Sequence, residues 1–443
     1  LYNHLVAKSN LGDVVHVQAL GQHIVILSSQ EACNDLLIKR GATYSDRPVF
    51  TMANLSGWAH GLVLQTYGDR LRTMRRLFSR LTNPRTSLDF VPLVEGSTTD
   101  FVKRMAKFES SDQIMSNLRW LTGGNILRVV FGYHITGSDD AFIRNADIAV
   151  SNFAEATSPG WLVDMVPTLR HLPAWKWIPG TAFLRQAAIW KDETNLMFDA
   201  PFDLSKLNCL IATAFEKTPD EESEETIKYA MGSMYAGGSD TTVYAQHSFF
   251  LAMTLHPDIQ RRAQAEIDHI TDGERLPKYT DRESLPFIEA IAREVLRWHP
   301  VVPGGIPHLC ETDDTYRGWR IPARTLVFPN IWHIMHDPLV YDKPMAFKPD
   351  RHLPLGSTPN PINTIFGFGR RECPGRYLAD MSLFLTIAMT LAVFDIVKAV
   401  DPNGEEIEPE EKYSGGSISH PMPFPCQVLP RSEKALALLH STT

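Results

Sequence analysis

The sequence predicts a mainly helical fold with small β-sheets, and three observations carry that reading. From roughly Gly68 to Ile270 apolar residues recur with the 3.6-residue helical period, as in "TDFVKRMAKF" and "NADIAVSNFAEA". Ahead of that stretch, "VVHVQAL" and "HIVILSS" alternate apolar and polar side chains, the mark of a hairpin of two short strands. Short strands return around Trp319 to Val327 and near the C-terminus, while no fixed-period repeat is visible. No linker divides the chain, so residues 1–443 are expected to form a single domain.

Taken in order, the hairpin is followed by a helix from about Ser29 to Arg40 and then by the helical stretch. Between Pro159 and Gly180 an apolar loop crowds Trp161, Val163, Trp175 and Trp177 between prolines. Such residues either partition into a membrane interface or cap the core. "EKTPDEESEETIK" reads as a solvated acidic turn leading into a long helix that begins near Glu224.

Apolar residues make up 44% of the 443 and charged residues 21%, the balance of a globular protein with a substantial core. The net charge of -8 argues against a general nucleic-acid binder. Five cysteines, at positions 33, 209, 310, 373 and 426, form no C-x-x-C pair and suit a reducing compartment. No run of eighteen apolar residues reads as a membrane span or secretory signal, so the expectation is a domain with no N-terminal membrane anchor in this chain. The chain begins at Leu1, which leaves open what precedes it.

Two segments carry chemistry. "FGFGRRECPGRYLADMSLFLTIAMTL" sets Cys373 between a glycine-rich loop and an apolar helix, with Pro374 suited to the first turn. Outward-pointing N–H groups at a helix start lower a thiol's pKa and stabilise a thiolate ligand. A lone cysteine is otherwise a small buried hydrophobe. "MYAGGSDTTVYAQ" places adjacent glycines inside the long helix, each at a cost of roughly 1 kcal/mol. Met234, Gly238, Thr241 and Ala245 share one face there, and the missing side chain is expected to leave space for a ligand. Without the cysteine loop, Asp-Thr-Thr at 240–242 reads equally as a helix kink or cap.

Phe366, Gly369, Arg371, Cys373 and Gly375 satisfy F-x-x-G-x-R-x-C-x-G, which closely resembles the haem loop of the cytochrome P-450 family. The resemblance runs from "YSDRP" to "SHPMPFPCQVLPRS" and is strongest to fungal membrane-associated members. It implies heme b buried between the long central helix and the cysteine loop, with Cys373 as axial ligand. It also implies that Phe366 packs against the loop, that Gly369 permits its turn and that Arg371 pairs with a propionate. Residues 237–242 fit the family's oxygen-activation motif A/G-G-x-D/E-T-T/S, so the resemblance makes Asp240 and Thr241 a proton relay.

Glu294 and Arg297, spaced i, i+3 in "FIEAIAREVLRWHP", combine with Arg351 of "AFKPDRH" into the family's structural ion triad, although Asp350 and His352 depart from its usual F-x-P-E-R-F. In "YGDRLRTMRRLF" Arg75 matches a propionate-binding arginine, but Leu71 replaces the family's tryptophan and one donor is lost. His308 stands where many members reach a propionate; the alternative is a surface-loop histidine. Arg70, Arg72, Arg76, Arg80, Arg370 and Arg376 form either a reductase-docking patch or a solvated surface.

The function implied is monooxygenation: one oxygen atom from O2 enters a lipophilic substrate, with electrons from NADPH through an NADPH-cytochrome reductase. Substrate contacts are expected from Ala236, Gly237, Val302, Ser417 and Ile418. By the same resemblance the enzyme works at the membrane surface, on the cytosolic face of the endoplasmic reticulum. A haem-thiolate isomerase or dehydratase and a non-catalytic haem or lipid binder are the rivals, and retention of Asp240 and Thr241 counts against the first.

Overall fold

The computed structural model describes residues 12–19, 21–135, 137, 139–175, 180–207 and 224–440. β1 (Val14–Ala19) and β2 (Gln22–Leu27) form the expected antiparallel hairpin, pairing Val14 with Leu27 and Ala19 with Gln22. The helix expected from Ser29 begins with a Ser29 cap, whose hydroxyl accepts the Ala32 N–H at 3.1 Å. Only its first turn is α-helical, because Asn34–Lys39 widens to a π-helix.

The helical stretch then delivers α1 (Asp69–Thr82), α2 (Val91–Met105), α3 (Asp112–Phe131), α4 (Ala141–Ala156), α5 (Ala182–Leu207), α6 (Glu224–Leu255), α7 (Pro257–Thr271) and α8 (Pro286–Trp298). The acidic segment before α6 lies outside the described residues. α6 is the axle of the molecule and packs on α1, α3, α4, α5 and α8. Its residues from Val243 to Thr254 are all buried, which explains a helix with little amphipathic contrast.

β3 (His308–Leu309), β4 (Asp314–Tyr316), β5 (Trp319–Ile321) and β6 (Leu326–Pro329) follow α8. The main sheet has the order β1-β2-β6-β3, with β6 parallel to β2 and antiparallel to β3, while β4 and β5 pair by themselves. After the cysteine loop comes α9 (Arg376–Val393), then β7 (Phe394–Lys398), which pairs with β8 (Cys426–Pro430). α9 is long and apolar enough to cross a membrane, yet it is a core helix, with Phe384, Leu385 and Ile387 fully buried.

Helices α3, α6 and α9 are joined through one side chain. Thr122 donates to Gln246 Oε1 at 3.0 Å, and Gln246 Nε2 donates to Thr386 at 2.9 Å and Ser382 at 3.3 Å. A fully buried amide with every group partnered fixes the register of three helices.

The apolar loop divides differently from the expectation. Val163 is buried, and Trp161 packs edge-on against Trp190 with its Nε1–H donated to the Glu155 carbonyl at 2.9 Å. Those two residues therefore belong to the core side. Leu162, Met165, Val166, Leu172 and Trp175 are the exposed ones, and Trp177 lies outside the described residues.

The ion triad assembles and gains a fourth member. Arg297 donates to both Glu294 oxygens, at 2.7 and 2.9 Å, and Arg351 Nε donates to Oε1 at 3.1 Å. His352 Nε2 stands 3.0 Å from Oε2, its Nδ1 2.8 Å from Thr358 Oγ1. Burial works against the Glu294 charge, but these partners prevail and hold its pKa down at about 2. Arg297 also donates to the carbonyls of Met335 and Pro344, so the cluster pins α8 to the chain leading to the cysteine loop. Arg297→Ala is expected to cost about 3–5 kcal/mol, because Glu294 would remain charged and buried. Urea unfolding of the haem-loaded protein measures it; a loss under 1 kcal/mol would contradict the account.

Candidate active site

A cavity of about 390 Å³ lies between α6 and the loop that precedes α9. Phe366, Cys373 and Gly375 border it from the loop, and Gly237, Thr241 and Ala245 from the helix.

The cysteine loop is built from backbone constraints. Gly367 and Gly369 have φ of +78° and +55°, a region that side chains disfavour. At Gly369 a Cβ would also stand 2.5 Å from the Leu37 carbonyl oxygen, in the π-helical segment. The Cys373 N–H donates to the Phe366 carbonyl at 2.7 Å, closing the loop so that the thiol opens into the cavity. Phe366 borders the cavity as well as the loop. Protein encloses the thiol on its other sides, and that burial raises its pKa. The Gly375 N–H and the Arg75 charge pull the other way, as expected for a helix start, but burial outweighs them. The other described cysteines do not border the cavity: Cys33 and Cys310 are buried in the core behind the main sheet, and Cys426 lies in β8 within the helical core.

At one end of the cavity three arginines converge. Arg75 donates to the Glu372 carbonyl at 2.9 Å; Arg371 donates to the carbonyls of Ser45 and Gln65 at 2.6 and 2.7 Å. Arg47 donates to the carbonyls of Ile306 and Pro307 at 2.6 and 2.7 Å, and its Nε has no partner. Among the described residues no carboxylate forms an ion pair with any of the three. Burial lowers all three pKa values, Arg371 to about 10, and the mutual repulsion of Arg47 and Arg371 adds to the effect at Arg47. His308 is buried beside them, not on a surface loop, with Nδ1 2.7 Å from the Tyr44 carbonyl oxygen. That oxygen only accepts, so Nδ1 carries the proton and Nε2 is left unpaired. Leu71 borders the cavity and offers no donor. Arg47 is a site residue that the motifs did not single out, although it stands in "YSDRP".

The charge of Asp46 offsets part of the cost at Arg47 and Arg371, but burial still prevails, and such a cluster of cations calls for a further anion. The carboxylates of haem supply that anion, and a thiol opens into the same cavity. The residues present fit haem.

On α6 the space expected at Gly238 is found at Gly237 instead. A Cβ on Gly238 would meet Ile126 of α3 at 2.7 Å, so close helix packing fills that space. A Cβ on Gly237 would meet nothing within 4 Å. Gly237 is therefore the glycine that leaves room in the cavity. The Thr241 hydroxyl faces the cavity and donates back to the Gly237 carbonyl at 2.7 Å. Asp240 points away, its Oδ1 3.6 Å from Arg119 Nε, and Arg119 in turn holds Asp147 at 2.6 Å. Burial raises the Asp240 pKa, against the pull of Arg119 and of the Tyr244 hydroxyl. Asp147 is half-exposed, so this chain of charges reaches from solvent to the residue next to Thr241.

Ala236, Gly237, Val302, Ser417 and Ile418 all border the cavity. Phe50, Trp58, Leu62 and Phe153 border it too, and no motif marked them. Of the six outer arginines, Arg70 turns instead toward Glu225 of α6, at 3.9 Å, while Arg72 pairs with Asp69 and Arg376 with Glu372.

A helical body with a thiol and an arginine cluster around one cavity defines a haem-thiolate class of protein. The family model for cytochrome P450 matches residues 3–424. Cytochrome P450 monooxygenase 208 of Postia placenta is 44% identical over 97% of this chain and 85% of its own length. Cytochrome P450 monooxygenase claR of Ampulloclitocybe clavipes is 41% identical over 98% of this chain and 82% of its own. A solved zebra fish cytochrome P450, in a structure with abiraterone, shares the fold with a TM-score of 0.77 at 21% identity, covering 97% of this chain and 99% of that one. This chain belongs to the cytochrome P450 family and is a haem-thiolate monooxygenase.

The two glycines give a test of the geometry. Gly237→Ala is expected to stabilise the protein by about 1 kcal/mol through helix propensity while narrowing the cavity and weakening ligand binding. Gly238→Ala should destabilise by about 1–3 kcal/mol because Ile126 is overpacked, and Ile126→Ala should recover part of that loss. Thermal melts of the haem-loaded variants separate the two, and equal shifts at both positions would contradict the assignment.

Proposed function

We propose that this chain, acting as one domain, inserts one oxygen atom from O2 into an uncharged lipophilic molecule, with Cys373 as the ligand of haem iron. The observation that carries the reading is the shared cavity: the Cys373 thiol, the Thr241 hydroxyl and the unneutralised arginines all border it. Haem bound there supplies the iron at which dioxygen is activated for insertion.

Each residue has a separate task. Cys373 supplies a thiolate, and the closed loop holds its sulfur in place. Arg47, Arg75 and Arg371 would hold the propionates, with Arg47 among the donors that offset Leu71, and His308 would add an Nε2–H only where a propionate beside it holds the ring in its cationic form. Thr241 presents a hydroxyl to the cavity, and Asp240 beside it would serve as the acid of the relay, with Arg119 and Asp147 orienting its carboxyl. The walls formed by Phe50, Trp58, Val302 and Ile418 exclude water and select apolar substrates. Ala236, Gly237 and Ser417 complete the substrate contacts.

Electrons come from NADPH through an NADPH-cytochrome reductase that docks on the cysteine side, where Arg76, Arg80 and Arg370 present positive charge and Arg72 and Arg376 add to it only after leaving Asp69 and Glu372. The exposed Leu162, Met165, Val166, Leu172 and Trp175 support contact with a membrane surface, in keeping with the cytosolic face of the endoplasmic reticulum.

Cys373→Ser should abolish oxygenation and the strongly red-shifted Soret band of the reduced carbon monoxide complex; retention of that band would remove Cys373 as the ligand. Thr241→Ala should retain haem but divert electrons to hydrogen peroxide, so product formed per NADPH falls. Unchanged coupling would end the relay assignment.

Membrane contact has its own measurement. Leu162→Ser with Val166→Ser should reduce liposome flotation, whereas Val163→Ser should lower stability without that selective effect. Flotation unaltered by the first pair would place those side chains outside the contact.

A further inference from the structure

The strongest unabsorbed feature is Asn125, on α3. It is only 3% exposed, borders the cavity, and neither its Nδ2 nor its Oδ1 has a hydrogen-bond partner. A buried amide with both groups unpaired is strongly unfavourable, whereas an ordered water satisfies donor and acceptor together.

The helix geometry shows what faces it. Gly238, Thr242 and Gln246 form an i, i+4 stripe on α6. Gly238 meets Ile126, and Gln246 accepts from Thr122. Thr242, midway along the stripe, therefore faces the turn of α3 between Thr122 and Ile126, where Asn125 stands. Thr242 is 7% exposed and borders the same cavity. Thr122 and Ser382 also border this part of the cavity. The cavity thus has a polar recess in which both ends of one amide are without a partner among the described residues, beside the Thr242 hydroxyl.

We propose that Asn125 and Thr242 hold buried water between α3 and α6, and that this water steadies the turn of α6 that presents Thr241. Asn125 is a positioning residue here. Its Nδ2 donates to water oxygen and its Oδ1 accepts a water hydrogen, while the Thr242 hydroxyl completes the site from α6. Asp240 contacts Arg119 of α3, which holds Asp147 of α4, and neither Asn125 nor Thr242 takes part in that chain, so the recess is a separate hydrogen-bonding element. The functional half of this inference rests on the monooxygenase reading, whereas the water site itself does not.

The test has two arms. A high-resolution crystal structure of the haem-loaded protein should show water within roughly 2.7–3.2 Å of an Asn125 amide atom and of Thr242 Oγ1. The same site should be dry in Asn125→Leu. No water there in the parent protein overturns the proposal, whatever the enzyme oxidises. In the second arm, Asn125→Leu should keep the carbon monoxide spectrum of the parent but yield several-fold less product per NADPH, with more hydrogen peroxide. Asn125→Ser, which leaves room for water and a hydroxyl to hold it, should restore part of the coupling. Unchanged coupling in Asn125→Leu overturns the positioning role. Should that variant fail to fold, Thr242→Val provides the same readouts on the facing helix. Failure of the parent protein to oxidise any substrate would count against the monooxygenase reading and leave the crystallographic arm decisive.

Discussion

The cluster of three arginines that, among the described residues, has no carboxylate in ion-pair contact governs this structure. Arg47, Arg75 and Arg371 come from the segment after the hairpin, from α1 and from the cysteine loop, and each donates to a carbonyl belonging to another part of the chain. They therefore act as cross-links and as an electrostatic demand at once. The carbonyls orient the guanidinium groups but neutralise nothing, because a peptide dipole offsets only part of a full charge. The fold is complete in shape before it is complete in charge, and the anionic edge of haem would close the difference. Binding of the cofactor is on this account coupled to the stability of three separate segments.

The central helix solves a second problem. It must pass beside the reacting centre without blocking it while packing tightly against α3. Adjacent glycines divide these duties: Gly238 admits Ile126, and Gly237 leaves the cavity clear. The neighbouring polar residues divide as well, with Thr241 inward, Asp240 toward Arg119, and Thr242, on our proposal, toward Asn125. Successive positions on a helix point about 100° apart, so three consecutive residues address three environments.

Much of this was legible in the sequence wherever chemistry is carried by local spacing. Cys373 in its glycine-rich loop, the Gly-Gly-Ser-Asp-Thr-Thr run and the pair Glu294 and Arg297 are all contained within one or two helical turns. What escaped depends on partners far apart in the chain. His352 looked like a departure from a motif, yet it bonds Glu294 across 58 positions. Arg47 gave no signal by itself because its partners lie some 260 positions away. The two glycines could not be told apart without knowing where Ile126 falls. Trp161 and Val163 were grouped with the exposed loop because composition does not reveal which face of a short segment turns inward.

The Leu37 carbonyl that crowds Gly369, and the pairing of β2 with β6, bind the first part of the chain to its last third. Ser28 and Asn330, in contact at the edge of that sheet, are 302 positions apart. At a synthesis rate of roughly 5–20 residues per second, the amino-terminal hairpin waits on the order of 15–60 s for its partner strand to be made. During that interval the edge of β2 that later receives β6 is unpaired, including apolar Val25 and Leu27. Biogenesis of this enzyme thus includes a period in which an early strand must be kept from pairing with other nascent chains, a burden set by topology and independent of how stable the finished protein becomes.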